Sequence, residues 1–107
     1  RFVEMSIAEL EGSDYRDGCP IATVALETNS NSEPLREVCR KLFDRALLIL
    51  KQWLMANGVA AERAEVLALT VFSAIEGALI LSKVQRSPEP LRKVAGQMKQ
   101  FLNVVVG

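Results

Sequence analysis

The sequence predicts an all-α fold, a helical bundle of about five helices, on three observations. Apolar residues recur mostly at intervals of three and four rather than two, which is the period of a helix face. Ala and Leu are abundant while only 6% of residues are aromatic, a balance that favours helix over sheet. No two segments alternate in the way a pair of strands requires. At 107 residues the chain is long enough for one core and too short for two domains.

Residues 2–11 place Phe2, Val3, Met5, Ile7 and Leu10 among glutamates and read as the tail of a first helix. Gly12-Ser13-Asp14 ends it, and a loop follows through Asp17-Gly18. The sequence opens without methionine and partway into this amphipathic segment, so residues upstream are expected to be missing. A short second helix begins at Pro20, where a first-turn proline forfeits no hydrogen bond, and runs over residues 20–28. Asn29-Ser30-Asn31-Ser32 is then a polar link whose side-chain oxygens cap the next helix.

The third helix carries Leu35, Val38, Cys39, Leu42, Ala46, Ile49, Leu50 and Trp53 on one stripe, with Arg36, Glu37, Arg40, Lys41, Asp44 and Lys51 opposite. Phe43, Leu47 and Leu54 widen the stripe, which predicts a spine packed between several neighbours. Asn57-Gly58 stops it. The fourth helix, residues 62–84, places Ala64, Leu67, Ala68, Val71, Ile75, Ala78 and Leu79 on one face as a core stripe. Its opposite face is also apolar or small: Val66, Leu69, Ser73, Gly77, Ile80 and Val84, with Glu65, Glu76 and Lys83 in a narrow band between. Ser87-Pro88-Glu89-Pro90 ends it in a tight turn, after which a fifth, one-faced helix carries Leu91, Val94, Ala95, Met98, Phe101, Leu102 and Val105. The short connection makes the last two helices an antiparallel hairpin with a fraying end at residues 104–106.

Composition excludes much chemistry. Thirteen basic and thirteen acidic side chains cancel, so no overall positive field exists to hold a phosphate backbone. The absence of histidine removes Ser-His-Asp and Cys-His catalysis and histidine metal sites. Cys19 and Cys39, 20 positions apart, match no zinc pattern and are too few for a disulfide framework, so the chain is expected to be a reduced cytoplasmic protein with no metal, no cofactor and no enzymatic activity. No signal-peptide pattern opens the sequence.

A helix apolar on two sides must be buried on two sides. A membrane span needs about 20 nearly uninterrupted apolar residues, and Glu76 breaks a shorter run here. A wholly internal helix is an alternative, since large bundles wrap such helices, but only four other segments, two of them short, are at hand to surround it. The preferred solution is a self-complementary interface across a two-fold axis, with Ser73 and Gly77 letting two backbones come close. Burying four of the larger side chains contributes roughly 6 to 12 kcal/mol per copy before association costs.

The run Asp17-Gly18-Cys19-Pro20-Ile21-Ala22, then Ala25-Leu26-Glu27, the helix ending in Trp53 and Gly58, Ile75-Glu76-Gly77-Ala78-Leu79, and Ser87-Pro88-Glu89-Pro90-Leu91 together resemble the regulatory half of TetR-family transcriptional repressors. The Gly-Cys-Pro and Glu-Gly-Ala-Leu elements, in this order, are similar to those of the LmrA/YxaF-like subgroup. The resemblance covers nearly the whole chain and implies that residues 1–107 form a ligand-binding and dimerisation domain. Its last two long helices would build a four-helix arrangement across the dimer, which adds Leu91, Val94 and Met98 to the expected interface. The family's helix-turn-helix module is absent from this sequence, so operator DNA is a partner only through a missing N-terminal part. The implied function is sensing an apolar or aromatic small molecule that relieves DNA binding; the alternative is a non-sensing helical interaction module.

An effector pocket in such a domain is apolar with few polar groups. The candidate ligand-binding residues are Cys19, Cys39, Phe43, Trp53, Phe72 and Glu76. Trp53 leads because its indole N–H needs a partner even when the ring is buried. Core packing is the commoner role for Phe43 and Phe72, and ion pairing for Glu76. Cys19 lies near a helix start that lowers a thiol's pKa, but no histidine is available as base and Asp14 and Asp17 oppose a thiolate.

Overall fold

A computed structural model describes Ile7, Ala8, Glu11 and residues 33–106. Among the described residues there are three long helices and no strand: α1 (Glu33–Ala56), α2 (Ala61–Gln85) and α3 (Glu89–Val106). They match the third, fourth and fifth predicted helices. Ile7, Ala8 and Glu11 are helical, as the first predicted helix requires. The second predicted helix, the Asn-Ser link and Cys19 lie outside the described residues.

The turns follow from local chemistry. At the end of α1 the backbone N–H of Val59 donates to the Leu54 carbonyl at 3.1 Å and that of Gly58 to Met55 at 3.0 Å. The Asn57 amide donates to the Trp53 carbonyl at 2.8 Å. This wrap needs a left-handed residue, and Gly58, at φ +94°, supplies it without a Cβ penalty. At the end of α2 the same conformation falls on Arg86, at φ 52°. The N–H of Ser87 donates to the Ser82 carbonyl there at 3.1 Å.

The start of α3 leaves no donor of its first turn unused. The N–H of Glu89 donates to Ser87 Oγ at 3.1 Å, Pro90 has no N–H, and that of Arg92 donates to the Pro88 carbonyl at 3.0 Å. The N–H of Leu91 donates to Ser82 Oγ at 3.0 Å, across from the neighbouring helix and out of reach of water. Ser82, fully buried, thus caps α3 from inside α2. The helix accordingly starts at Glu89, with Pro90 in its first turn, rather than after Pro90 as expected. Its far end remains helical through Val106 instead of fraying at 104, because Val105 and Val106 pack on the lower core.

Two clusters hold the three helices in an up-down-up layer. Leu54, Ala64, Leu67 and Ala68 form one, with Leu47, Leu50, Phe101 and Leu102 against it, so the end of α1, the start of α2 and the end of α3 meet. Ile75, Ala78, Leu79 and Leu91 form the other, joined by Ile7 and flanked by Val94, Ala95 and Met98. Both clusters are built on α2, which packs against α1 on one side and α3 on the other. The spine is therefore α2, not α1 as expected. Among the described helices α1 has one main neighbour, and its own buried residues are only Cys39 and Leu54. Its outward side carries exposed ion pairs, Arg36 with Glu33 at 3.0 Å and Arg40 with Asp44 at 2.7 Å. Arg40 also pairs with Glu37 and holds that carboxyl below its ordinary range through a side-chain hydrogen bond.

Candidate functional site

The seven core positions predicted for α2 are all buried, and Ser82 continues their stripe. What the stripe faces divides the layer into two sides, here termed inner and outer.

On the inner side, Ala46, Ile49, Leu50 and Trp53 fall on one face of α1 because they are spaced by three, one and three residues. With Val71, Phe72 and Ile75 of α2 they line a cavity of about 510 Å³ whose surface is almost wholly apolar. Beyond Trp53 a second, more open cavity of about 380 Å³ lies over the same Val71 and Ile75, lined also by Ala95, Met98, Lys99, Leu102 and Asn103 of α3. The two share Trp53 and a floor, so they form one trough across the layer with the indole at its middle. Either volume lies in the range of about 300 to 1,000 Å³ typical of small-molecule sites. Trp53 is 46% exposed and Ile49 60%, so the described residues leave the trough open.

The structure brings three of the candidate ligand-binding residues together. Trp53 and Phe72 line the trough, and Phe43 packs edge to face on Phe72, with centroids 5.7 Å apart at 75°. Phe43 thereby fixes the ring that forms one wall. Cys39, one turn earlier on α1, is buried and lines neither cavity. Glu76, one turn beyond Phe72, is half-buried with both carboxylate oxygens shielded from water, and it too lies outside the trough. Ala46, Ile49, Leu50, Val71 and Ile75 were legible only as core stripe. A stripe that lines a cavity and one that fills a core have the same period.

On the outer side, every member of the second face of α2 is at least partly exposed in the single chain. Val84 is 76% exposed, Val66 62% and Ile80 50%, with Leu69 and Ser73 also exposed and Gly77 half-buried. The space above Gly77 is open: a Cβ built there meets no heavy atom within 4 Å. The described helices therefore leave this face uncovered. Thr70 Oγ1 donates to the Val66 carbonyl at 2.9 Å, so that hydroxyl is satisfied within the helix. Leu81 and, across on α1, Leu48 extend the exposed apolar surface. Leu48 and Leu69 also line a groove of about 330 Å³ rimmed by Asp44, Lys51 and Glu65. Leu81 follows Gly77 by one turn and was readable from that spacing; Leu48 was not, because its membership depends on how α1 lies beside α2.

Leu91 is fully buried in the chain's own core, and Val94 and Met98 pack against the same cluster. Leu91 thus belongs to the layer's own core, while Val94 and Met98 remain half-buried beside it.

By length and composition alone α2 is apolar enough to cross a membrane. At 25 residues it is longer than the apolar run predicted for it. Eight of its side chains are buried against α1, α3 and Ile7.

The family described as transcriptional regulator LmrA/YxaF-like, C-terminal domain, matches residues 1–97. The chain is 34% identical over 97 residues to the uncharacterized HTH-type transcriptional regulator YxaF of Bacillus subtilis, covering 91% of the chain and 51% of that protein. An uncharacterized HTH-type transcriptional regulator of Mycobacterium tuberculosis is 33% identical over 99 residues, covering 88% and 51%. The HTH-type transcriptional regulator LmrA of Bacillus subtilis is 29% identical over 86 residues, covering 80% and 46%. The chain thus spans about half the length of the curated relatives it matches. No solved structure matches it significantly.

Proposed function

Because this chain belongs to the LmrA/YxaF-like transcriptional regulators of the TetR family, matching their C-terminal domain, we propose that it is the effector-sensing and dimerising part of a TetR-like repressor. The observation that carries this reading is that one helix has two jobs. The inner side of α2 floors an apolar trough, and its outer side is an uncovered apolar stripe with an open glycine.

Soluble chains rarely leave such a stripe in water. A second copy of the chain covers it in this reading, with Val66, Leu69, Ser73, Gly77, Ile80 and Val84 meeting their equivalents. An apolar or aromatic effector enters the trough over Trp53 and Phe72. Side chains two residues apart on a helix point about 200° apart, so Val71 faces the trough while Ser73 faces outward, and a ligand wedged against Val71 moves the backbone that carries Ser73. It therefore favours one arrangement of the dimer over another, and binding shifts the population toward the arrangement it prefers. In the intact protein that arrangement holds the operator-reading parts badly spaced and so relieves repression.

Sedimentation velocity across a concentration series tests the reading. A dimer is expected that Gly77→Leu converts to a helical monomer, since the added side chain occupies the space the second backbone needs. A chain that stays monomeric at high concentration overturns it and leaves only the alternative, in which this face docks a different protein.

A further inference from the structure

We infer that the ligand of the trough is an amphipathic organic anion, with a bulky apolar body over Trp53 and a terminal carboxylate or similar group at Lys99 and Asn103. The inference rests on the sensing reading above and adds the chemical class of the effector.

Across both cavities, among the described residues, the lining contains no carboxylate and a single ionisable group, the ammonium of Lys99. The first cavity offers an apolar body almost nothing but apolar surface. The second ends at Lys99 and Asn103, which stand four residues apart on α3 and so share one face about 5 to 6 Å from each other at Cβ. A cationic donor and a carboxamide at that spacing serve the oxygens of one anionic group. A cation would meet Lys99 with no acidic residue to offset it. A neutral apolar ligand would use the trough but leave its one charged end unmatched. Because Trp53, Val71 and Ile75 belong to both cavities, a body seated against the indole reaches the polar end without leaving the trough.

Trp53 is the only tryptophan in the chain, so its emission has a single source, in the trough, and the Lys99 variant tells a probe seated there from one bound elsewhere. The test uses two probes of nearly equal size, the anionic 1-anilinonaphthalene-8-sulfonate and the neutral N-phenyl-1-naphthylamine, each followed by energy transfer from Trp53 in the 107-residue chain. Both are expected to bind. Lys99→Gln weakens the sulfonate by about twofold to fivefold, the size of an exposed charge interaction, and leaves the neutral probe unchanged. Lys93→Gln, an exposed lysine of α3 that lines neither cavity, changes neither. Equal effects of Lys99→Gln on both probes, or none on the sulfonate, overturn the anion assignment while leaving an apolar sensing trough in place. If neither probe takes energy from Trp53, the sensing reading itself fails.

Discussion

The inner and outer faces of α2 are built from the same residue types and meet opposite surroundings. Inside, Leu67, Val71, Ile75 and Leu79 are buried against neighbouring helices; outside, Val66, Leu69, Ile80 and Val84 are exposed. Apolar periodicity marks surface that avoids water without saying what covers it. One face packs largely against the chain's own helices, and the other is left uncovered by the described residues.

The largest effect separating the two should come from truncating an apolar side chain on each. Leu91→Ala, which empties a fully buried site above the inner face, is expected to cost about 2 to 5 kcal/mol of unfolding free energy in urea titration, independent of protein concentration. Leu69→Ala, on the outer face, is expected to act mainly through the concentration dependence of the unfolding midpoint. If both behaved alike, the distinction between intrachain and interchain closure would be wrong.

Two serines sharpen the contrast. Ser82→Ala removes the acceptor for the Leu91 N–H in a dry place and is expected to cost about 1 to 3 kcal/mol. Ser73→Ala on the outer face is expected to stay within about 0.5 kcal/mol when measured at concentrations low enough for a single chain. Hydrogen exchange at the Leu91 amide would report the first change directly.

Two glycines extend it further. Gly58→Ala forces a Cβ into the left-handed region and is expected to cost about 1 to 2 kcal/mol at any concentration. Gly77→Ala meets open space in the single chain, so by helix propensity it should stabilise the dilute protein by about 0.5 to 1 kcal/mol. Where a second copy packs there, the same change should weaken association. A sign that reverses with concentration identifies a covered glycine.

The smallest effect lies on neither face, among the exposed charges of α1. Arg40 holds the Glu37 carboxyl below its ordinary value of 4.5. That pair therefore contributes fully above pH 4.5 and is lost as pH falls through the lowered value. Arg40→Ala should flatten the urea midpoint against pH only in that acid window, and slightly, because the pair is fully exposed.

The three described helices were legible because each carries its own punctuation: Asn57-Gly58, Ser87-Pro88, and apolar stripes of helical period. The buried face of α2 was legible residue by residue for the same reason. The trough was only half legible. Trp53 and Phe72 could be singled out as aromatics, but no local signal tells Ile49, which lines a cavity, from Leu54, which is sealed in the core, two residues of like size on one helix.

Sequence alone determined that this chain is helical, where its helices stop, and that α2 is apolar on two sides, because backbone propensity and side-chain period are local properties. Tertiary structure decided that α2 rather than α1 is the spine, that Leu91, Val94 and Met98 face inward, that a serine of one helix caps the next, and that Trp53 stands between two cavities. Those outcomes depend on the relative rotation of packed helices, a quantity set by the fit of many side chains at once and written in no single segment.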